Sequence, residues 1–211
     1  MVAEGLDIHD LEANDLLPGS GHCIEADNAT ARIQDSVLQG CHEVAVLAGG
    51  VDADVTVKQV TIQDVAATST YDFGLGLLAQ NDARMTAEQV DVSGATSAAS
   101  AAAQGGQLMI ADSVLRDCLL NDDHTLGYAV FAVHTGSVIL ERTEIHSAGL
   151  AGLLASGPES TIHMSDGSIQ GVYTGIGADT GFGALAQAWG HIELDAVTVE
   201  DIQGPGIACS S

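Results

Sequence analysis

The chain has 211 residues, with 29 Asp and Glu against 5 Lys and Arg, for a net charge of −24. An apolar content of 46% is too high for an acidic disordered tail, and an aromatic content of 3% argues against a core built on large rings. So negative a surface repels phosphates and offers few cations to displace their counterions, which argues against nucleic acid and anionic membranes as partners.

Taken in chain order, the opening Met1-Val2-Ala3-Glu4 lacks the basic, then apolar, start of a secretory signal. The uncharged stretch at residues 94–111 is too polar to cross a bilayer. The chain is therefore expected to be intracellular or to have lost a leader. A degenerate unit then recurs: apolar, any, apolar, any, polar, small, any, apolar. It occupies residues 55–62, 108–115, 138–145, 162–169 and 192–199, more weakly 85–92, and 31–38 from its third position onward. Its last apolar position falls at Leu38, Ile62, Val92, Leu115, Ile145, Ile169 and Val199, at intervals of 24, 30, 23, 30, 24 and 30. That beat implies a two-turn repeat in which alternate turns carry about six extra residues.

Each unit starts with the period-two alternation of a strand, and the parity breaks at Asp35, Gln59, Gln89, Asp112, Arg142 and Asp166, where a bend is expected. A third short apolar run follows a variable loop, as in Val44-Ala45-Val46, Leu75-Gly76-Leu77, Tyr128-Ala129-Val130-Phe131 and Gly152-Leu153-Leu154. Residues 95–103 have the composition of a helix when taken alone. The missing helix caps and the glycine at the centre of the units favour strands throughout. Three short strands per turn of 23 to 30 residues describe a coil of a parallel β-helix.

The unit resembles the repeat of the right-handed, pectate-lyase-like β-helix superfamily, with its apolar-x-polar-x-x-apolar core, over residues 6–209. That family favours Asn in the bend, where this chain has Asp, Gln or Arg. The expected fold is all-β: a single-stranded right-handed parallel β-helix of about eight coils, three short strands per coil, in a rod about 40 Å long at the usual strand spacing. Residues 1–211 form one solenoid with two-coil repeats at 39–92, 93–145 and 146–199. With no capping element in sight, it is expected to be a fragment of a longer array, continued by flanking sequence or by end-to-end contacts.

In that arrangement Leu38, Ile62, Val92, Leu115, Ile145, Ile169 and Val199 form one inward column. Ile33, Val57, Ala87, Ile110, Leu140, Met164 and Leu194 form another. On the outside, Asp112, Arg142 and Asp166 are expected to follow one another, and Lys58 to lie between Gln34 and Glu88. Cys23, Cys41, Cys118 and Cys209 have neither metal-type nor dense disulfide spacing and read as small buried hydrophobes.

The extra residues of alternate turns fall in loops 66–72, 119–125 and 173–180, which offer Tyr71, Asp72, Asp122, Asp123, His124, Tyr173 and Asp179 as a binding surface. Asn121-Asp122-Asp123-His124 gathers oxygen ligands of the kind Ca²⁺ takes, with Asp122 and Asp123 as the metal candidates. It lacks a D-x-D-x-D-G frame, so no cofactor is expected. Trp189 is a candidate for stacking on a sugar, with core packing as its more ordinary role. His9, His22, His42, His146, His163 and His191 are scattered and read as surface residues. The resemblance implies neighbouring carboxylates for hydrolases, and a basic residue with Ca²⁺ ligands for lyases. The third strands carry one obvious carboxylate, Glu25, and no Lys or Arg, whereas glycoside hydrolysis needs a pair.

The expected function is a non-catalytic structural or adhesive module of a secreted or cell-surface bacterial protein, displaying loops to glycan or protein ligands. The alternative is a polysaccharide lyase or glycoside hydrolase fragment using Asp72, Asp122 and Asp123.

Overall fold

The computed structural model describes residues 1–8, 21–68, 73–120, 127–173 and 181–210. Among them are 22 strands and no helix. In chain order these begin with β1 (Val2–Glu4), β2 (Asp7–Ile8), β3 (Ile24–Asp27), β4 (Thr30–Gln39), β5 (Val44–Gly49), β6 (Asp54–Gln63) and β7 (Leu75–Gln80). Next come β8 (Arg84–Glu88), β9 (Asp91–Ser93), β10 (Ala98–Ala103), β11 (Gln107–Ala111), β12 (Val114–Cys118), β13 (Tyr128–Val133), β14 (Ser137–Glu141) and β15 (Glu144–Ala148). The last are β16 (Ala151–Ser156), β17 (Thr161–Ser165), β18 (Ser168–Val172), β19 (Phe182–Gln187), β20 (His191–Asp195), β21 (Thr198–Ile202) and β22 (Ile207–Ser210).

The strands make two sheets, one of 14 and one of 8, and every pairing between them is parallel. From β7 onward each strand pairs with the one three places later in the chain. Parallel neighbours need a crossover between them, and here the two intervening strands supply it. The arrangement is all-β and consistent with a parallel β-helix.

Both inward columns are present in register. Leu38 pairs with Ile62, Ile62 with Val92, Val92 with Leu115, Leu115 with Ile145, Ile145 with Ile169 and Ile169 with Val199. Ile33, Val57, Ala87, Ile110, Leu140, Met164 and Leu194 follow one another in the same way. Ile33, Leu38, Ile62, Ile110 and Ile145 have no exposed surface. A one-residue slip would turn every one of these side chains out of the core, so burial itself fixes the register.

The parity breaks are left-handed residues. Asp35, Gln59, Gln89, Asp112, Arg142 and Asp166 have φ between 47 and 55°. A seventh bend sits at Ala196 (φ 53°), without a polar side chain to mark it. β4 and β6 run unbroken across this bend, whereas later units divide there into two strands, which joins both halves into the larger sheet. After β7, β13 and β19 the chain turns through two successive positive-φ residues, Asn81-Asp82, His134-Thr135 and Ala188-Trp189. These turns are closed by N–H donors of Ala83, Gly136 and Gly190 to the carbonyls of Gln80, Val133 and Gln187, as in type I′ turns.

The alanine-rich stretch is strand β10, held between β7 and β13 as the repeat implies, despite its helical composition. Two expectations are corrected. Cys23 and Cys41 form a disulfide and Cys209 is exposed, so of the four only Cys118 is a buried free thiol. Burial pushes the Cys118 thiol up to about 12, which leaves it inert as a nucleophile. Trp189 does not plug the core: it occupies the second central position of its turn and is 80% exposed.

The outward face of the larger sheet carries charge in ladders. Lys58 pairs with Glu88 at 3.0 Å and stands in register with Gln34 on its other side. Arg116 grips Asp91 through Nε and Nη2, both at 3.0 Å. Arg142 donates to both oxygens of Asp112, at 2.6 and 3.0 Å, which holds the Asp112 carboxyl below the usual carboxylate range. The two remaining cations, Arg32 and Arg84, lie on β4 and β8 of the same sheet.

Candidate functional site

The smaller sheet has a different outward face. In β5 the side chains of Ala45, Val46 and Ala48 enter the main core, while Val44 and Leu47 belong to a second apolar cluster. Two consecutive inward residues break the alternation, so outward positions recur at i and i+3. The pattern holds for Leu75 and Leu78 in β7, Ala98 and Ala101 in β10, Tyr128 and Phe131 in β13, Ala151 and Leu154 in β16, and Phe182 and Leu185 in β19. All three phenylalanines of the chain, Phe73, Phe131 and Phe182, pack on this cluster.

Side-chain size shapes the surface. Ala98, Ala101 and Ala103 of β10 make a low floor between Leu75 and Leu78 on one side and Tyr128 and Phe131 on the other. The result is a trough of about 200 Å³ lined almost wholly by apolar atoms. Its aromatic wall is stiffened by stacking of Tyr128 on Phe131, with ring centroids 5.2 Å apart and planes at 26°. Burial raises the Tyr128 hydroxyl above its ordinary value, so it stays neutral there.

A second hollow of about 230 Å³ adjoins the trough, sharing Phe73, Leu78 and Gln80 with it and ending at His22 and Glu43. Three turns of chain meet at that end. The Cys23–Cys41 disulfide, with Cα atoms 5.6 Å apart, ties the segment before β3 to the one before β5. The N–H of His42 donates to Gly21 C=O at 2.9 Å, and the N–H of Glu43 to Ala66 C=O at 2.9 Å. Glu43 is held at φ 60° and is 3% exposed. Its Oε1 accepts from Thr68 Oγ1 at 3.0 Å, and its Oε2 lies 3.4 Å from His22 Nε2. The other ring nitrogen of His22 faces Glu25 Oε2 at 3.2 Å. The His22 side chain is only 11% exposed, which corrects its reading as an ordinary surface histidine.

Among the residues singled out from the sequence, Tyr71, Asp72, Asp122, Asp123, His124 and Asp179 lie outside the described residues. Tyr173 is 58% exposed at the end of its strand, with its N–H on Ala148 C=O. Trp189 is exposed on a turn after β19, and no ring contact joins it to Tyr173 among the described residues. Glu25 does take part, through His22. No cluster of three or more His, Cys, Asp or Glu suited to a metal occurs among the described residues.

The trough and the His22–Glu43 contact were not singled out. The i, i+3 apolar spacing of the third strands was the available signal for the first. The second had only Cys-His-Glu at 41–43 and His-Cys at 22–23, whose relation depends on the fold. Comparison of the chain with protein-family models, with curated proteins and with solved structures returns no match. The repeat and the parallel sheets are consistent with a β-helix.

Proposed function

We propose that the protein is a non-catalytic binding module, a right-handed parallel β-helix with three short strands in each of about eight coils, the number the repeat length allows. Its ligand lies on the outward face of the eight-stranded sheet. The observation that carries this reading is the alanine-floored trough between Leu75, Leu78, Tyr128 and Phe131, because a soluble chain rarely gathers its large rings on an outward face without a use for them. A protein ligand fits better than a glycan, since sugars need hydrogen-bonding groups that this lining scarcely provides. The loops before the third strands flank the same face in the chain and remain candidate contributors. The disulfide supports a secreted or cell-surface setting, where such bonds persist. Continuation of the array by flanking sequence or end-to-end contacts belongs to the same proposal. Ala101→Trp, which fills the trough, is expected to abolish binding of the solvatochromic dye Nile red while leaving the far-ultraviolet spectrum unchanged. Undiminished binding would remove the trough from the proposal.

A second reading, a polysaccharide hydrolase or lyase, is favoured by one arrangement: Glu25 and Glu43 flank the His22 ring, as an acid–base pair would require. Release of reducing or unsaturated ends from a polysaccharide panel, lost in Glu43→Gln and in His22→Asn, would establish it in place of the first.

A further inference from the structure

We infer that the trough and the hollow beside it form one two-part site for a basic, amphipathic peptide segment, with an apolar or aromatic side chain on the β10 floor and a Lys or Arg at the Glu25–Glu43 end. The inference rests on the binding-module reading and adds the chemistry of the partner. The two hollows adjoin at Phe73, Leu78 and Gln80, close enough for one ligand to reach both. Their characters differ: one is lined by alanine, leucine and aromatic rings, the other ends at His22 and the buried Glu43, with the exposed Glu25 on the other ring nitrogen of His22.

The charge distribution decides the sign of the partner. All five Lys and Arg, namely Arg32, Lys58, Arg84, Arg116 and Arg142, lie on or at the bends of the larger sheet. Arg116, Arg142 and Lys58 are held there by carboxylates. The face bearing the trough therefore has no Lys or Arg to compensate a chain of net charge −24, and a cationic segment is drawn to it while an anionic one is repelled.

Spacing sets the register of the segment. β10 is two strands from β5, about 10 Å at the ordinary strand separation, and Glu43 immediately precedes β5. An extended peptide covers that distance in about three residues. The motif is therefore an aromatic or large aliphatic residue with a basic residue two or three positions away. The backbone of the segment runs across the strands of the face rather than along them.

The experiment uses the full chain and two fluorescein-labelled peptides, Phe-Leu-Gly-Lys-Arg and its charge-reversed twin Phe-Leu-Gly-Glu-Glu, with binding read by anisotropy. The basic peptide is expected to bind at least tenfold more tightly, with the preference shrinking as salt is raised from 0.05 to about 0.5 M. Glu25→Gln, at an exposed position, and Glu43→Gln are each expected to reduce the preference, and Ala101→Trp to abolish binding of both peptides. Glu88→Gln on the opposite face is the control for general attraction to an acidic protein and is expected to leave the preference intact. Equal binding of the two peptides, both lost in Ala101→Trp, would overturn the inference while keeping the binding face. A preference that survives in Glu25→Gln and Glu43→Gln but falls in Glu88→Gln would also overturn it. Binding unaffected by Ala101→Trp would overturn the binding face as well.

Discussion

The two sheets share one core and differ in what they show to water. On the larger sheet the outward side includes Lys58 and Glu88, Asp91 and Arg116, Asp112 and Arg142, paired from one turn to the next. On the smaller sheet the equivalent positions are valine, leucine, alanine, tyrosine and phenylalanine, which pack into a second apolar cluster. The inner faces of both sheets pack into the same core, so they cannot account for the difference. An outward face laddered with charge needs no partner, and it resists sideways association of sheets. An outward apolar face of comparable length costs solubility, and the acidic excess of the chain offsets that cost. On the proposed reading, binding belongs to the apolar side of the molecule and solubility to the charged one.

The largest expected effect tests what the sheets have in common. Ile62, fully buried between Leu38 and Val92, is expected to cost about 2–5 kcal/mol when replaced by alanine, read by urea unfolding. A loss below about 1 kcal/mol would show that the column is not packed as described. Next is the disulfide at the acidic end of the apolar face. It closes an 18-residue separation, and the double replacement Cys23→Ser with Cys41→Ser is expected to remove about 2–4 kcal/mol.

The comparison is sharpened by truncating one outward side chain on each sheet. Leu78→Ala, at 8% exposure, is expected to cost about 2 kcal/mol, since it leaves a gap in the second cluster. Ile139→Ala, at 40% exposure on the larger sheet, is expected to stay within about 0.5 kcal/mol. Equal losses would erase the distinction between the two faces. The smallest effect concerns Asp112, whose folded carboxyl is held low by Arg142. A carboxyl depressed by folding adds stability above its ordinary titration range and loses it as the pH falls through the lower folded value. The melting temperature of Asp112→Asn is therefore expected to lie slightly below that of the parent near neutral pH and to converge with it in acid. A gap that widened on acidification would contradict the assignment.

The inner columns were legible in the sequence because parallel, in-register stacking places like residues over one another, and burial forces the same class at each rung. The bends were legible at Gln59 and Arg142 for the same reason, since a left-handed residue reverses parity; Ala196 escaped because its side chain carries no polar mark. The outward face of the smaller sheet was hidden by the doubled inward positions at Ala45 and Val46, which convert an alternating pattern into one of three. Trp189 was misplaced because an apolar ring next to a strand suggests the core, whereas the type I′ turn forces position and exposure together. The Cys23–Cys41 bond and the His22–Glu43 contact join residues 18 and 21 apart, which matches no interval of the repeat.

The assignment of binding to one face is tested most directly by methyl resonances of the labelled protein during titration with the peptide Phe-Leu-Gly-Lys-Arg. Shifts confined to Leu75, Leu78, Ala98 and Ala101, with Met109 and Ile139 on the larger sheet unmoved, are the predicted result. Shifts centred on Met109 and Ile139, with the alanines of β10 unmoved, would contradict it.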